Sequence, residues 1–491
     1  MLLEEKKRPM NSDQFVRSNG PRWLPKAKRI KWEQGKASCT STVLSVLAAL
    51  LALASMVGPL RQSLAAPAVL SDDQPLVIRP TAREPSRMAI ATFDLGQSSA
   101  ALKQNNFHEI IYNDLEITGY FERVKNQPFV EETHQRDLKT DNIDFPEWKR
   151  LNADFLLVGK YAVTSDRLEA SCILYYVPTG RRIFGKQFVH TVDQQRMLAH
   201  RISDEIFRYL SAGEEGLANT KILCVSSSDP RRQVREVWVM DADGENAHAL
   251  TNDKNLVATP CWGANATEVY YTSYKDYNPD LCGIYLQGGS SWFISRFAGL
   301  NVSPSWSQTR QQIALTLGKD GNSEVYVMNR EGKSLKRLTF GRAIDSSPCW
   351  SPSGGDLVFT SDETGSPQIY IMDAEGGNRR RISYVGSNYC DAATWSPKGD
   401  KIAFTARVDG RFDIFVVEVD GSNPKRLTYG PDNNEDPCWA PNGLILAFMS
   451  DRTGTSQIFT MNSDGSNQRQ ITRRGYNISP AWSPFLYAKA K

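Results

Sequence analysis

The hydrophobic residues in the second half of the chain alternate with polar residues at the two-residue period of β-strands. Ile402 with Phe404, and Ile414 with Val416, show this alternation, and Pro-x-Gly and Asp-Gly turns separate one strand pattern from the next. The pattern recurs as a unit of four short strands, which we name a to d in chain order. Strand a ends at a tryptophan, and strand d reads Arg-Leu-Thr in the clearest copies.

One tryptophan marks each copy of the unit, and successive tryptophans are separated by 44, 44, 45, 44 and 43 residues: Trp262, Trp306, Trp350, Trp395, Trp439 and Trp482. Four strands at a period of about 40–45 residues are typical of a β-propeller blade. The sequence therefore predicts a six-bladed β-propeller over residues 216–491. The last unit stops after its strand a, and unmatched strands b to d lie at 220–251, so we expect the C-terminal strand to close the first blade.

Residues 66–215 carry a different pattern, without the tryptophan repeat. Apolar residues at helical spacing predict helices within 101–118 and 196–210. Alternating segments predict strands at 88–93, 154–163, 168–176 and 182–190. Mixed helices and strands indicate a small α/β (α+β) domain, so we expect a β-rich protein of two domains.

The first 65 residues have the pattern of a basic leader followed by a signal peptide. Residues 1–36 hold ten Lys or Arg against four acids, and the apolar run 42–57 is 16 residues long. That length is closer to the core of a signal peptide than to the roughly 20 residues of a membrane-spanning helix. A small-x-small pattern predicts cleavage between Ala65 and Ala66. An uncleaved membrane anchor is the alternative; no second apolar run follows, so we expect no stable membrane insertion after cleavage.

Composition and motifs give no support to catalysis or to nucleic-acid binding. Lys and Arg number 58 against 55 Asp and Glu, which leaves a net charge of only +3 and no excess of basic residues for a nucleic-acid partner. The chain contains no G-x-S-x-G motif, and none of its five histidines is paired at a metal-binding spacing such as H-E-x-x-H. We therefore expect a protein that is not an enzyme and has neither cofactor nor metal ion.

Polar residues precede the tryptophan in most copies of strand a: Asn301, Asp345, Asp391, Asn434 with Glu435, and Asn477. Innermost strands line the channel of a propeller, and d–a loops surround one of its mouths, so we expect a polar ring there. Arg407 and Arg452, on b–c loops, should add charge at the same mouth. Mixed charge suits a protein partner, although Asn and Asp also favour turns. The alternatives are a metal-dependent hydrolase or lactonase using channel carboxylates, or a sensor of a small ligand.

The combination of the two domains resembles the TolB family of the Tol–Pal cell-envelope system. The resemblance rests partly on the six blades with their WD40-like repeats. It also rests on three segments of the amino-terminal domain: NNFHEIIYNDLEITGYFERV (105–124), EWKRLNADFLLVGKY (147–161) and AHRISDEIFRYLSAGEEGLANTKI (199–222). It implies a periplasmic, non-enzymatic binding scaffold that supports outer-membrane integrity and cell division.

The resemblance also implies two partners. The propeller mouth would bind the peptidoglycan-associated lipoprotein, and the matching positions here are Asn301 and Ser303, and Asp345 and Ser346. The segment after the cleavage site would bind the inner-membrane protein TolA, with these candidate residues: Asp73, Leu76, Val77, Ile78 and Arg79. Closed blades with short loops favour a monomer.

Overall fold

The computed structural model describes residues 85–94, 106–125, 127–140, 142–229 and 231–486. The chain divides into two compact units, residues 1–74 and 75–491, and every described residue belongs to the second unit. The leader, the predicted cleavage site at Ala65 and Ala66, and the candidate residues within 73–79 lie outside the described residues. In the part of the chain that the structure describes, no helix is both long enough and apolar enough to cross a membrane.

The amino-terminal half of the second unit is a mixed sheet with helices on both faces. Its helices are α1 (Phe107–Ile117), α2 (Gln127–Thr140), α3 (Phe145–Arg150) and α4 (Gln195–Leu210). Its strands are β1 (Ser86–Ile90), β2 (Phe121–Arg123), β3 (Phe155–Thr164), β4 (Arg167–Tyr176) and β5 (Arg181–Thr191). The sheet order is β2-β1-β3-β4-β5; β1 runs parallel to both its neighbours, and the other pairs are antiparallel. The predicted α/β (α+β) fold is confirmed.

Apolar stripes on α1 and α4 form the main core of this domain. On α4, Leu198, Ile202 and Ile206 recur at every fourth residue and are fully buried, as the helical repeat requires. They pack with Leu157 of β3 and Leu174 of β4, whose side chains point to the same face of the sheet. A second, smaller core with α2 and α3 covers the opposite face of the sheet.

Six four-stranded antiparallel sheets form the propeller, and each corresponds to one predicted blade. Blade 1 consists of β29 (Tyr476–Trp482), β6 (Lys221–Ser227), β7 (Glu236–Asp241) and β8 (His248–Ala249). Blades 2 and 3 consist of β9 (Val257–Trp262), β10 (Glu268–Ser273), β11 (Asp280–Tyr285), β12 (Trp292–Ser295), β13 (Asn301–Ser307), β14 (Gln312–Leu317), β15 (Glu324–Asn329) and β16 (Lys336–Arg337). Blades 4 and 5 consist of β17 (Asp345–Trp350), β18 (Asp356–Ser361), β19 (Gln368–Asp373), β20 (Arg380–Arg381), β21 (Cys390–Trp395), β22 (Lys401–Val408), β23 (Arg411–Glu418) and β24 (Lys425–Arg426). Blade 6 consists of β25 (Asn434–Trp439), β26 (Ile445–Ser450), β27 (Gln457–Asn462) and β28 (Arg469–Gln470).

The last strand of the chain closes the ring, as the sequence predicts. Strand β29 pairs antiparallel with β6, with Trp482 opposite Ile222. The indole N–H of Trp482 donates to Thr220 Oγ1 at 2.8 Å, and its backbone N–H donates to the sulfur of Cys438 in blade 6 at 3.0 Å. The first blade is therefore built from two parts of the chain more than 220 positions apart, and its inner strand comes from the end of the chain.

Every inner strand carries a bulge at its third residue, or at its fourth in β29, which begins one residue earlier. These residues have positive φ angles between 45 and 54° without being glycine: Thr259, Ser303, Ser347, Ala392, Asp436 and Ser479. A strand register shift accompanies each one. Several bulge amides donate to a threonine hydroxyl of the preceding blade; for example, Ser347 N donates to Thr316 Oγ1 at 3.1 Å, and Asp436 N to Thr405 Oγ1 at 3.1 Å. The bulges thus link neighbouring blades.

The amino-terminal domain packs on one face of the ring, against c–d and a–b turns. Arg196 of α4 binds Asp241 at 2.9 Å and also Asp243, both at the c–d turn of blade 1. On the blade 6 side, Arg469 binds Glu116 of α1 at 3.1 Å. The d–a and b–c loops lie on the opposite face of a propeller, so these contacts of the described residues leave the mouth that those loops surround uncovered.

Truncating Trp482 should destabilise the propeller more than truncating Trp306. Trp482 is 5% exposed and hydrogen-bonded to the start of blade 1, whereas Trp306 is half-buried at the equivalent position of blade 3. We expect Trp482→Ala to cost about 3–5 kcal/mol of the free energy of unfolding, as for other buried tryptophans, and Trp306→Ala to cost less. Thermal and urea unfolding of both variants measures the difference; equal losses would contradict the closing role of Trp482.

Candidate functional site

The bulge in strand a decides which of the predicted mouth residues a partner can reach. The residue two places before the bulge is buried, with exposures of 0–4% at Asn301, Asp345, Asn434 and Asn477; it is the first residue of the strand except in β29, where it is the second. The prediction that these four side chains form a ring at the surface of the mouth is wrong. Because the register shifts at the third residue, the first side chain points into the sheet, where it bonds to its own loop.

Asn301 illustrates the structural role of the first position. Its amide oxygen accepts from Ser295 Oγ at 2.6 Å and from Phe297 N at 3.0 Å, and its amide nitrogen donates to the Phe297 carbonyl at 2.7 Å. These bonds satisfy the backbone of the d–a loop and hold it against the blade. Asn301 is thus an anchor of the loop that surrounds the mouth.

Asp345 and Asn434 each bind an arginine of their own blade. Arg379 Nη2 lies 3.3 Å from both carboxylate oxygens of Asp345 and also binds Glu363. Burial raises the pKa of Asp345, and the bond to Ser361 and the charge of Arg379 oppose that shift. In blade 6 the guanidinium of Arg452 donates to Asn434 Oδ1 at 2.7 Å, and burial lowers the pKa of Arg452. Arg452 is half-buried, and its guanidinium is directed at its own blade.

The second and third residues of strand a face the channel and remain partly exposed. Four of the predicted residues occupy these positions: Ser303, Ser346, Asp391 and Glu435. Ser303 is itself the bulge residue, and its amide donates to Thr259 Oγ1 at 3.3 Å. Arg407, on the b–c hairpin of blade 5, is exposed on the same face. Binding of a partner by these residues remains a prediction.

Three acidic residues of the inner strands of blades 5 and 6 interact electrostatically: Asp391, Glu435 and Asp436. Asp391 accepts from Thr360 Oγ1 at 2.7 Å, and Asp436 accepts from Ser479 Oγ at 3.0 Å. Burial raises the pKa of Glu435 to about 7, with repulsion from Asp436, Asp451 and Asp391 as further causes. Burial likewise raises the pKa of Asp436. Near neutral pH the carboxyl group of Glu435 can therefore be protonated or ionised. It can donate a hydrogen bond in the first form and accepts hydrogen bonds in the second.

Asp436 was missed by sequence reasoning, although it belongs to this cluster. It follows the predicted pair Asn434 and Glu435 directly, and only the bulge brings its side chain toward Ser479 of the next blade. The sequence signal is the polar third residue of the inner strand. Among the described residues, no group of three or more His, Cys, Asp or Glu side chains is arranged to hold a metal ion.

Comparison with known proteins gives matches to both domains. A model described as the TolB beta propeller domain matches residues 209–394 and 388–486, and a model of the TolB amino-terminal domain matches residues 75–183. The crystal structure of TolB from Acinetobacter baumannii is similar with a TM-score of 0.70 at 24% identity, covering 82% of this chain and 97% of that one. A nidogen/laminin complex structure is similar with a TM-score of 0.44 at 13% identity, covering 54% of this chain and 99% of that one.

Replacing Glu435 by glutamine should change the pH dependence of stability. The folded-state pKa of about 7 lies above the ordinary 4.5, so the contribution of Glu435 is fully present below pH 4.5 and is lost as pH rises through 7. Glutamine stays neutral throughout. We expect Glu435→Gln to match the wild type near pH 4.5 and to be more stable by roughly 1–3 kcal/mol at pH 8.

Thermal unfolding of both proteins between pH 4.5 and pH 8 tests this expectation. Glu331→Gln is the matched control, because Glu331 is an exposed residue of a c–d turn on the opposite face. Parallel curves for the wild type and Glu435→Gln would show that the carboxylate cluster does not disfavour ionisation of Glu435.

Proposed function

The chain belongs to the TolB family, and we propose that it is a periplasmic, non-enzymatic binding scaffold of the Tol–Pal cell-envelope system. Both domains of the family occur in the family order, and together their models cover most of the described residues. The fold supports this proposal, because a propeller closed by its last strand presents a rigid surface without free sheet edges. The predicted signal peptide provides the route to the periplasm.

The first proposed partner is the periplasmic domain of the peptidoglycan-associated lipoprotein, bound at the mouth surrounded by the d–a loops. The observation that carries this proposal is the position of the amino-terminal domain, which packs on the c–d and a–b turns of the other face. The mouth therefore keeps polar side chains available for contact, among them Ser346, Asp391, Glu435 and Arg407. Polar and charged groups at a rim suit a specific but separable protein contact.

Placing a lysine in the mouth should weaken lipoprotein binding. Ser346→Lys and Glu435→Lys each change a half-buried channel position of a different blade without touching the buried first residues. We expect either change to raise the Kd for the lipoprotein domain about tenfold or more, because charge and bulk enter a packed contact. Calorimetric titration measures the Kd, with Glu331→Lys on the opposite face as control. Wild-type affinity in both mouth variants would place the contact elsewhere.

The second proposed partner is a TolA-like inner-membrane protein, bound by the segment that follows the cleavage site. Its candidate residues are Asp73, Leu76, Val77, Ile78 and Arg79, and the support for them is the family resemblance alone. Three consecutive apolar residues, 76–78, can pair as an added strand with a partner sheet.

Making this segment polar should separate the two contacts. The double variant Leu76→Asp, Ile78→Asp removes the apolar side chains of two alternate positions, which would lie on one face of an added strand. We expect loss of binding to the periplasmic domain of the TolA-like protein, with lipoprotein affinity within about twofold of wild type. Calorimetry with each domain measures both. Unchanged TolA-like binding would assign that contact to another part of the chain.

A further inference from the structure

Three exposed aromatic side chains stand at equivalent positions of consecutive blades. Phe340, Tyr384 and Tyr429 each lie three residues after the last residue of strand d, in the d–a loop of blades 3, 4 and 5. Their exposures are 69%, 65% and 68%, which is unusual for large aromatic rings. The other three blades carry Asn252, Arg296 and Arg473 at this position. We name Phe340, Tyr384 and Tyr429 the aromatic arc; it covers one side of the mouth face.

An arginine of strand d holds each ring of the arc in place. The guanidinium carbons of Arg337, Arg381 and Arg426 lie 4.8, 5.0 and 4.9 Å from the ring centroids of Phe340, Tyr384 and Tyr429. Each arginine Nε also donates to the backbone carbonyl just before the aromatic residue, at 2.7 to 3.0 Å. The arginines are therefore fixed at two points, and the rings stacked on them are preorganised.

The charge behind the arc differs in its central blade. Arg337 donates to buried Glu324 at 2.6 Å, and Arg426 donates to buried Asp413 at 2.5 Å, so both guanidinium charges are neutralised within the blade. At the same position Arg381 donates to the amide oxygen of Gln368 at 2.6 Å. Within the described residues, the guanidinium of Arg381 is bound only by neutral oxygens, those of Ser383 and Gln368. The centre of the arc thus carries a positive charge that its own blade leaves uncompensated.

We propose that the aromatic arc anchors a folded protein partner at the mouth face, and that Arg381 pairs with a carboxylate of that partner beside an apolar patch. Preorganised aromatic rings and arginines dominate the energetics of protein interfaces. Covering Arg381 with a partner would bury its charge, and a carboxylate in the contact is the group that compensates it. The proposal rests on the proposed function, because the partner it names is the periplasmic domain of the lipoprotein.

Four single variants of the exported protein, each titrated with the lipoprotein domain by calorimetry, test the arc. Tyr384→Ala removes the central ring, and we expect the Kd to rise about tenfold or more. Phe340→Ala and Tyr429→Ala should each raise it severalfold. Tyr285→Ala is the matched control, because Tyr285 is 49% exposed at the end of strand c in blade 2, next to the c–d turn on the opposite face. It should bind as the wild type does.

A fifth variant, Gln368→Glu, tests the role of Arg381 without removing any side chain from the surface. It gives blade 4 the buried acid that blades 3 and 5 already carry. We expect a Kd about fivefold to tenfold higher, because the guanidinium is then neutralised internally. The new ion pair should offset the lost hydrogen bond from Gln368 Nε2 to the Ser387 carbonyl at 3.1 Å, and thermal unfolding measures that balance. The salt dependence of the Kd should also become weaker than in the wild type.

The outcomes separate the arc from the proposed function. If the wild type fails to bind the lipoprotein domain, both are overturned. If Glu435→Lys weakens binding while all arc variants bind normally, the proposed function stands and the arc is overturned. If Tyr384→Ala weakens binding and Gln368→Glu does not, the pairing of Arg381 with a carboxylate is overturned. Sedimentation of the same variants completes the test, since loss of a dimer instead of loss of lipoprotein binding would make the arc a self-association surface.

Discussion

The bulge in the inner strand of each blade is the constraint on which the rest of the propeller depends. A non-glycine residue in the left-handed conformation costs about 1–2 kcal/mol, and six such residues occur, one in each inner strand. Hydrogen bonds between blades offset this cost, as in the bond from the Asp436 amide to Thr405 Oγ1 at 3.1 Å. The bulge thereby joins the blades, buries the residue two places before it and turns the bulge residue and its predecessor toward the channel.

Ring closure and domain packing meet at the first blade. Strand β29 completes that blade, and the c–d turn of the same blade binds α4 through Arg196 and His200. Burial alone would lower the pKa of His200, but the Asp114 carboxylate at 2.8 Å raises it to about 10, so the imidazole stays charged at neutral pH. Its second nitrogen lies 3.9 Å from Asp241. Charged groups from both domains are thus buried together. Removing any one of them would leave an uncompensated buried charge and would destabilise the contact between the domains.

In this arrangement the two faces of the propeller differ in what they contact. The face of the c–d and a–b turns is occupied by the amino-terminal domain, whereas the face of the d–a and b–c loops presents carboxylates in the channel and aromatic rings at its edge. Rigid blades hold the carboxylates and the aromatic rings at fixed separations. This chain therefore loses little conformational entropy when a complementary partner binds. Binding on one face and domain packing on the other are therefore compatible in a single monomer.

The sequence by itself determined the number of blades, the closing strand and the order of the two domains. Strand alternation, turn residues and a tryptophan period are local or periodic signals, and each is set by chemistry within one repeat. The side-chain directions at the mouth came only from the tertiary structure. Asn301 and Asp345 look like surface turn residues in the sequence, yet they are buried, because a one-residue shift at the bulge reverses the face on which a strand side chain lies.

The distances between charged side chains of different blades also could not be predicted from the sequence. Asp391 and Asp436 are 45 positions apart, and Arg381 differs from its equivalents only through Gln368, 13 positions earlier in the chain. Periodicity predicts that such residues occupy equivalent places, but it carries no information on how closely their side chains approach. Electrostatic interactions depend on distance and burial, and both are decided by how the blades pack around the channel.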